Sequence, residues 1–241
     1  MRSHRFYIPA SLVVNTSVAL SADVAHHCAQ VLRYNVGDPL VLFNGDSFDY
    51  SAVITGIEKK RCVVEICRKY DPKNESPLKI HLMQGIARGD KMDFIIQKVV
   101  ELGVAEITPV FTERCNVKLD KKRLNKKMAH WNKTIISASE QSGRAVLTRL
   151  NDPVTIENIP KLEHCSIFLE PTVSESFGEL DIEKNVRIII GPEGGFTQSD
   201  LTLLARVGFK GSKIGPRILR TETAGLSAIS ILQSRFGDLA H

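Results

Sequence analysis

The sequence predicts an α/β protein of two domains, a small β-rich one followed by a larger one in which a parallel sheet alternates with helices. Three observations predict it. The first ~70 residues are short apolar runs broken by turn signals. A charged, proline-bearing stretch, Asp71-Pro72-Lys73-Asn74-Glu75-Ser76-Pro77, then interrupts the pattern as a linker does. Beyond it, runs of strand length alternate with segments of helical periodicity to the end of the chain. A chain of 241 residues has room for two cores, and the boundary falls in the charged stretch, giving domains 1–72 and 73–241.

In the first domain, residues 40–43 and 48–54 flank Asn44-Gly45-Asp46, a hairpin signal because Asn-Gly supplies the positive φ of a tight turn. Another strand, 62–67, follows the basic turn Lys59-Lys60-Arg61. Residues 21–32 read as the single helix, with Ser21 as its cap. The second domain opens with a strand at 78–83 and a helix capped by Asp90. Met92, Ile95, Ile96, Val99 and Leu102 line one face of that helix, and Gly103 stops it. Strands follow at 107–111, 165–169 and 186–190, the last a dense β-branched run of the kind buried on both faces of a parallel sheet. Thr197 and Asp200 form a capping box for the helix carrying Leu201, Leu204 and Ala205, which Gly208 ends. A strand at 210–214 and a helix at 222–235 complete the chain.

With 43% hydrophobic and 24% charged residues, the composition is that of an ordinary globular protein. Cys28, Cys62, Cys67, Cys115 and Cys165 form an odd, scattered set without a C-x-x-C pair, which points to a reducing compartment and no structural zinc. Pro9 and Asn15-Thr16-Ser17 break the apolar stretch behind Arg2 and Arg5 too early for a secretory signal. No segment approaches the roughly 20 apolar residues of a membrane span. A cytoplasmic protein is expected.

The net charge of +5 is unevenly spread, since residues 112–149 alone carry +7. Within that window lie Lys118, Lys121, Lys122, Arg123, Lys126, Lys127 and Lys133, interleaved with Leu124, Met128, Trp131, Ile135 and Ala138 at helical spacing. Such a helix buries one face and offers ammonium groups on the other. The basic face is either simply solvated or an electrostatic footprint for nucleic acid, because clustered cations release counterions from phosphate.

Two loops lie where open α/β sheets bind ligands, after a strand and before a helix. Gly191-Pro192-Glu193-Gly194-Gly195 lacks the Gly-Lys-Ser/Thr of a phosphate-binding loop and the G-x-G-x-x-G order of a dinucleotide site, so nucleotide hydrolysis loses ground. Residues 215–221 set Arg217 and Arg220 beside a helix N-terminus, where anionic groups are favoured.

The chain resembles the RsmE family of small-subunit ribosomal RNA uridine-N3 methyltransferases, members of the SPOUT superfamily. The likeness rests on Arg5-Phe-Tyr-Ile8, Val31-Leu-Arg33 with Val36-Gly-Asp38, Gly89-Asp-Lys-Met-Asp93 with Gln97-Lys98, and Glu101-Leu-Gly103. It continues through Arg114, Val117-Lys-Leu-Asp120, Trp131, Glu140-Gln-Ser-Gly-Arg144, the Gly191 loop, 215–224 and Arg235-Phe-Gly-Asp238. The resemblance implies a PUA-like β-barrel that helps hold RNA and a methyltransferase domain tied in a trefoil knot, which ordinary chain topology forbids. It also implies a homodimer acting on 16S rRNA of the small ribosomal subunit, with S-adenosylmethionine as cofactor and no metal. The implied cofactor contacts are Leu169, Glu170, Pro171, Gly191, Pro192, Glu193, Gly194, Gly195, Ile214, Gly215, Pro216, Leu219, Arg220 and Thr221. Arg5, Arg33, Arg114, Lys118, Lys122, Lys126 and Lys127 are the expected RNA contacts.

A sulfonium donor is already activated, so the protein must position an acceptor in line with it. Uracil N3 carries a proton, and losing it places negative charge on the base, which a fixed guanidinium favours. Arg220 is the first candidate for that guanidinium and Arg144 the second. Either Glu193 or Glu222 accepts the proton, unless both are structural carboxylates. Two rival readings stand beside this one: the same fold methylating a ribose 2′-hydroxyl or another base, separable by nucleoside mass spectrometry, and a non-catalytic ribosome-assembly RNA-binding protein, separable by calorimetry with the cofactor.

Overall fold

In a computed structural model, which describes residues 4–58, 61–115, 120–161 and 164–240, the chain divides into two compact units. Met1–Glu75 with Ser139–Leu147 form one, and Ser76–Ala138 with Thr148–His241 the other. In the first unit, strands β1 (Arg5–Tyr7), β2 (Ser17–Ala19), β3 (Pro39–Phe43), β4 (Asp49–Glu58) and β5 (Arg61–Tyr70) build one sheet in the order β1-β3-β4-β5-β2. Its β1–β3 pair is parallel and its other pairs antiparallel. Alternation selects the buried face: Cys62, Val64 and Ile66 of β5 join Leu40, Leu42, Ala52 and Ile54 in one core.

The hairpin expected around Asn44-Gly45 forms, but as a loop of residues 44–48 rather than a tight turn. Gly45 does take positive φ (+91°), while the Asn44 and Asp46 carboxamide and carboxylate oxygens accept backbone N–H groups two residues on and so hold a longer connection. Lys59 and Lys60, expected in a turn, lie outside the described residues. The helix expected over 21–32 is α1 (Ala22–His26), followed by a π turn, His27–Val31. Ser21 caps it, its hydroxyl accepting the N–H of Val24.

The second unit carries β6 (Lys79–Gly85), β7 (Glu106–Phe111), β8 (Arg149–Leu150), β9 (Val154–Thr155), β10 (Cys165–Leu169), β11 (Asn185–Ile190) and β12 (Lys210–Ser212). They form one sheet in the order β12-β10-β11-β6-β7-β8, with β9 also on β7, and every pair is parallel. Helices α2 (Lys91–Glu101), α3 (Lys121–Ser142), α4 (Gln198–Arg206) and α5 (Thr221–Phe236) complete the elements. Residue Ile189 of the central strand β11 packs with Met83, Phe168 and Leu204 of α4. Its neighbours along the strand face the other way, toward α5 and the α2 packed on it.

Helix α4 starts with the expected capping box, Thr197 and Asp200 each accepting the other's N–H. Asp90 precedes α2 as expected but does not cap it. Its backbone is already helical (φ −80°, ψ −2°), which turns the carboxylate away from the free N–H groups, and its side chain makes no capping bond. Leu102 follows the last residue of α2 and Gly103 adopts the left-handed conformation expected of a stop, at φ +80°. Among the described residues, no helix is long and apolar enough to cross a membrane.

Candidate active site

Three adjacent strands, β10, β11 and β12, send their following loops from the carboxyl edge of the sheet, where parallel α/β sheets bind ligands. These loops wall a cavity of roughly 580 Å³, a size typical of small-molecule sites. Leu169, Glu170 and Pro171 line it after β10. Gly191, Pro192, Glu193, Gly194, Gly195 and Phe196 do so after β11, and Ile214, Gly215, Leu219, Arg220 and Thr221 after β12. Pro216 lies exposed outside this lining.

Two glycines shape the central loop. Gly195, at φ +67°, lets its N–H return to the Pro192 carbonyl at 2.9 Å and closes a turn. Gly85, at the end of β6, lies so close beneath the loop that an added Cβ would stand 2.6 Å from the Pro192 nitrogen. Thr221 fastens three segments at this point. Its buried hydroxyl donates to the Gly191 carbonyl at 2.6 Å and accepts the Gln84 amide of β6 at 3.0 Å.

The walls carry five basic side chains, Lys91, Arg114, Lys213, Arg217 and Arg220, against two carboxylates, Glu170 and Glu193, so the mouth favours an anionic partner. Arg114 donates to the Gly194 carbonyl at 2.8 Å and props the loop from outside. Glu193 accepts the Arg88 N–H at 3.1 Å and lies 3.2 Å from the Lys91 ammonium. Burial works to raise its pKa, but the backbone N–H groups of Glu193 and Arg88, with Lys91, outweigh it and hold the carboxyl below its usual range. Lys91 reaches a second carboxylate, Glu222, at 3.8 Å. Arg220 occupies the cap position of α5 without a side-chain capping bond. It is exposed, as is Arg217, and neither makes an ion pair among the described residues.

Lys91 and Gln84 were not foreseen as site residues. For Lys91 the signal was a lone lysine in a helical turn that otherwise carries Asp90 and Asp93. Gln84 had no local signal, because only the fold brings it to Thr221.

A family model described as an RNA methyltransferase domain matches residues 74–233, and one described as an RNA methyltransferase PUA domain matches residues 20–67. The chain belongs to this RNA methyltransferase family. It is 38% identical over 99% of both chains to the ribosomal RNA small subunit methyltransferase E of Buchnera aphidicola subsp. Schizaphis graminum. A Legionella pneumophila methyltransferase, solved with the cofactor S-adenosylmethionine bound, superposes with a TM-score of 0.94 at 40% identity, covering 99% of this chain and all of that one. The ribosomal RNA small subunit methyltransferase E of Neisseria gonorrhoeae, also solved with S-adenosylmethionine, gives 0.92 at 36% identity, with 99% and 100% covered.

In this RNA methyltransferase the PUA-bearing unit holds three of the residues singled out from sequence. Arg5 binds Asp49 with both terminal nitrogens, at 2.6 and 2.8 Å, donates to the Arg144 carbonyl and lies 5.0 Å from the Phe43 ring centre. Arg144 is 4% exposed and pairs with both oxygens of Glu75. Arg33 is exposed, at φ +55°. In the methyltransferase unit, Lys122 and Lys126 stand exposed on α3, and the Lys127 ammonium lies 5.8 Å from the Trp131 ring centre. Lys118 lies outside the described residues. No group of three or more potential metal ligands occurs among the described residues.

Proposed function

We propose that this chain methylates N3 of a uridine in 16S rRNA of the small ribosomal subunit, using S-adenosylmethionine, as a cytoplasmic homodimer whose cofactor loops are threaded into a trefoil knot. The observation that carries the reading is the closing of one cavity by the three loops after β10, β11 and β12, in a chain matching small-subunit methyltransferases along nearly its whole length. The residues present suit the cofactor: apolar walls from Leu169, Pro192, Ile214 and Leu219 flank a glycine-rich backbone, with Glu170 at the rim. When bound, that group supplies a methyl already activated by positive sulfur.

The protein's own part is to orient the uracil and favour its deprotonated form. What supports Arg220 in this role is that it is exposed at the cavity and makes no ion pair among the described residues, which leaves its guanidinium free to face charge developing on the base. Arg144, bound to Glu75, serves the folding of its own unit instead. Arg33, Arg114, Lys122 and Lys126 supply phosphate contacts in this reading.

The test is to supply the protein and labelled cofactor to small subunits lacking the modification and to map the methyl group. A methyl on a uridine N3 is expected, and a product at a ribose hydroxyl or another base overturns the assignment. Arg220→Ala should lower the rate about 100-fold or more with the fold retained, and near-normal turnover removes Arg220 from the role.

A further inference from the structure

A second cavity, of roughly 530 Å³, opens between the starts of α2 and α5 and shares Lys91 with the first. Its walls hold Asp90, Phe94, Glu222, Thr223 and Ser227. Phe94 is 45% exposed, although its helix neighbours Met92, Ile95 and Ile96 are buried, so part of its ring is open to this cavity. The two carboxylates that Lys91 reaches differ in how fully they are engaged. Glu193 is held by the Arg88 N–H and by Lys91 at 3.2 Å. Glu222 has only the longer 3.8 Å contact with Lys91, and its Oε2 accepts no hydrogen bond among the described residues.

Building on the function proposed above, we infer that this second cavity receives the acceptor uracil, stacked on Phe94, with Glu222 as the base that takes its N3 proton. The chemistry matches edge to edge. Uracil presents an N–H between two carbonyls, and the cavity presents the Glu222 carboxylate beside the Lys91 ammonium and two hydroxyls, those of Thr223 and Ser227, with Asp90 as a second carboxylate on its wall. The N3–H bond breaks, the proton passes to Glu222, and the electron pair stays on the base, where O2 and O4 share its charge beside Lys91, which lines both cavities and joins Arg220 of the first in favouring the anion. Cytosine, whose N3 carries a lone pair instead of a proton, meets the same carboxylate with repulsion. Glu193 is left as the anchor that holds Lys91 against the first cavity.

The test uses the full chain with Glu222→Gln, Phe94→Ala and Phe94→Trp. Cofactor affinity, measured by calorimetry, should stay within about twofold in all three, since none lines the first cavity. Single-turnover transfer by Glu222→Gln should fall about 100-fold near neutrality and rise with pH as hydroxide replaces the lost base. Phe94→Ala should weaken binding of a uridine-bearing RNA strand about tenfold. Phe94→Trp should restore that binding, with tryptophan fluorescence quenched by the uridine strand more than by its cytidine counterpart. Transfer by Glu222→Gln within threefold of the parent overturns the base assignment. Unchanged RNA affinity in Phe94→Ala together with a halved mass in sedimentation overturns the subsite and makes that face a contact with a second copy. A parent protein that methylates no small subunit defeats the underlying function, whereas an active parent with equally active variants defeats this inference alone.

Discussion

Thr221 is the residue that ties the loops around the first cavity together, because one hydroxyl both gives and receives a hydrogen bond among segments far apart in sequence. Valine has nearly the same shape, so Thr221→Val removes the two bonds without opening a cavity, and it leaves the Gly191 carbonyl without this partner in a part-buried setting. The expected cost is about 1–3 kcal/mol of stability, with weaker cofactor binding because the Gly191 loop loses its tie to α5. Thr221→Ser should restore most of both. Chemical denaturation and calorimetry on the pair decide it, and a valine variant as stable and as tight-binding as the parent shows the tie to be idle. The arginines teach the same lesson about commitment. Arg5, Arg144 and Arg220 are alike as letters in a motif, but two are closed onto Asp49 and Glu75 within their own unit, while the third makes no ion pair among the described residues. No sequence pattern distinguishes them, since the pairing carboxylates lie 44 and 69 residues away along the chain.

Among the elements, the strands and helices whose faces follow one period were legible from sequence, and the departures come where tertiary contacts override the period. Strand β10 occupies the expected residues, and α4 and α5 begin and end within a residue or so of expectation. The π turn after α1 and the uncapped start of α2 were not legible, because each is set by packing and not by the local letters. Nor was the polar row that crosses the large sheet near its amino edge, where Ser166, Arg187, His81, Glu106 and Arg149 stand side by side in register. Each occupies one alternate position of its strand and reads singly as a solvent-facing residue, and only the register assembles them. Burial is the main reason His81 is driven down to about pKa 4; Arg187, His164 and Arg149 add to it, against Glu106. The unfolded chain, with an imidazole near 6.5, therefore binds more protons than the folded one between those values. Stability is complete above the unfolded value and falls as pH drops toward the folded one. By about pH 5 the loss should reach ~2 kcal/mol. Urea unfolding at neutral and mildly acidic pH measures it, and His81→Gln, which retains a donor for Thr108, should flatten the dependence. An equally steep curve in the variant assigns the acid sensitivity to another group.

For the whole molecule, the field matters more than any one contact. A net +5 that concentrates as +7 within residues 112–149 makes one region strongly attractive to phosphate while the remainder is slightly acidic. Helix α3 displays part of that charge, with Lys121, Lys122, Arg123, Lys126 and Lys133 exposed while Trp131 and Ile135 are buried. Arg114, from the same window, stands at the first cavity, to which Arg217 and Arg220 add their charge. Binding of RNA through such a surface releases counterions, so affinity must fall linearly with salt on logarithmic axes, by about 0.7 in slope for each single-strand phosphate neutralised. Reversing Lys122 and Lys126 to Glu should weaken RNA binding, reduce that slope by roughly 1.4 if each lysine meets one phosphate, and leave S-adenosylmethionine affinity unchanged, because neither side chain lines the cavity proposed to hold it. Filter binding over a salt series, with calorimetry on the same samples, separates the two effects. An unaltered slope makes the lysines a solvated face, and a parallel loss of cofactor and RNA binding shows that α3 supports the site itself and not only the nucleic acid.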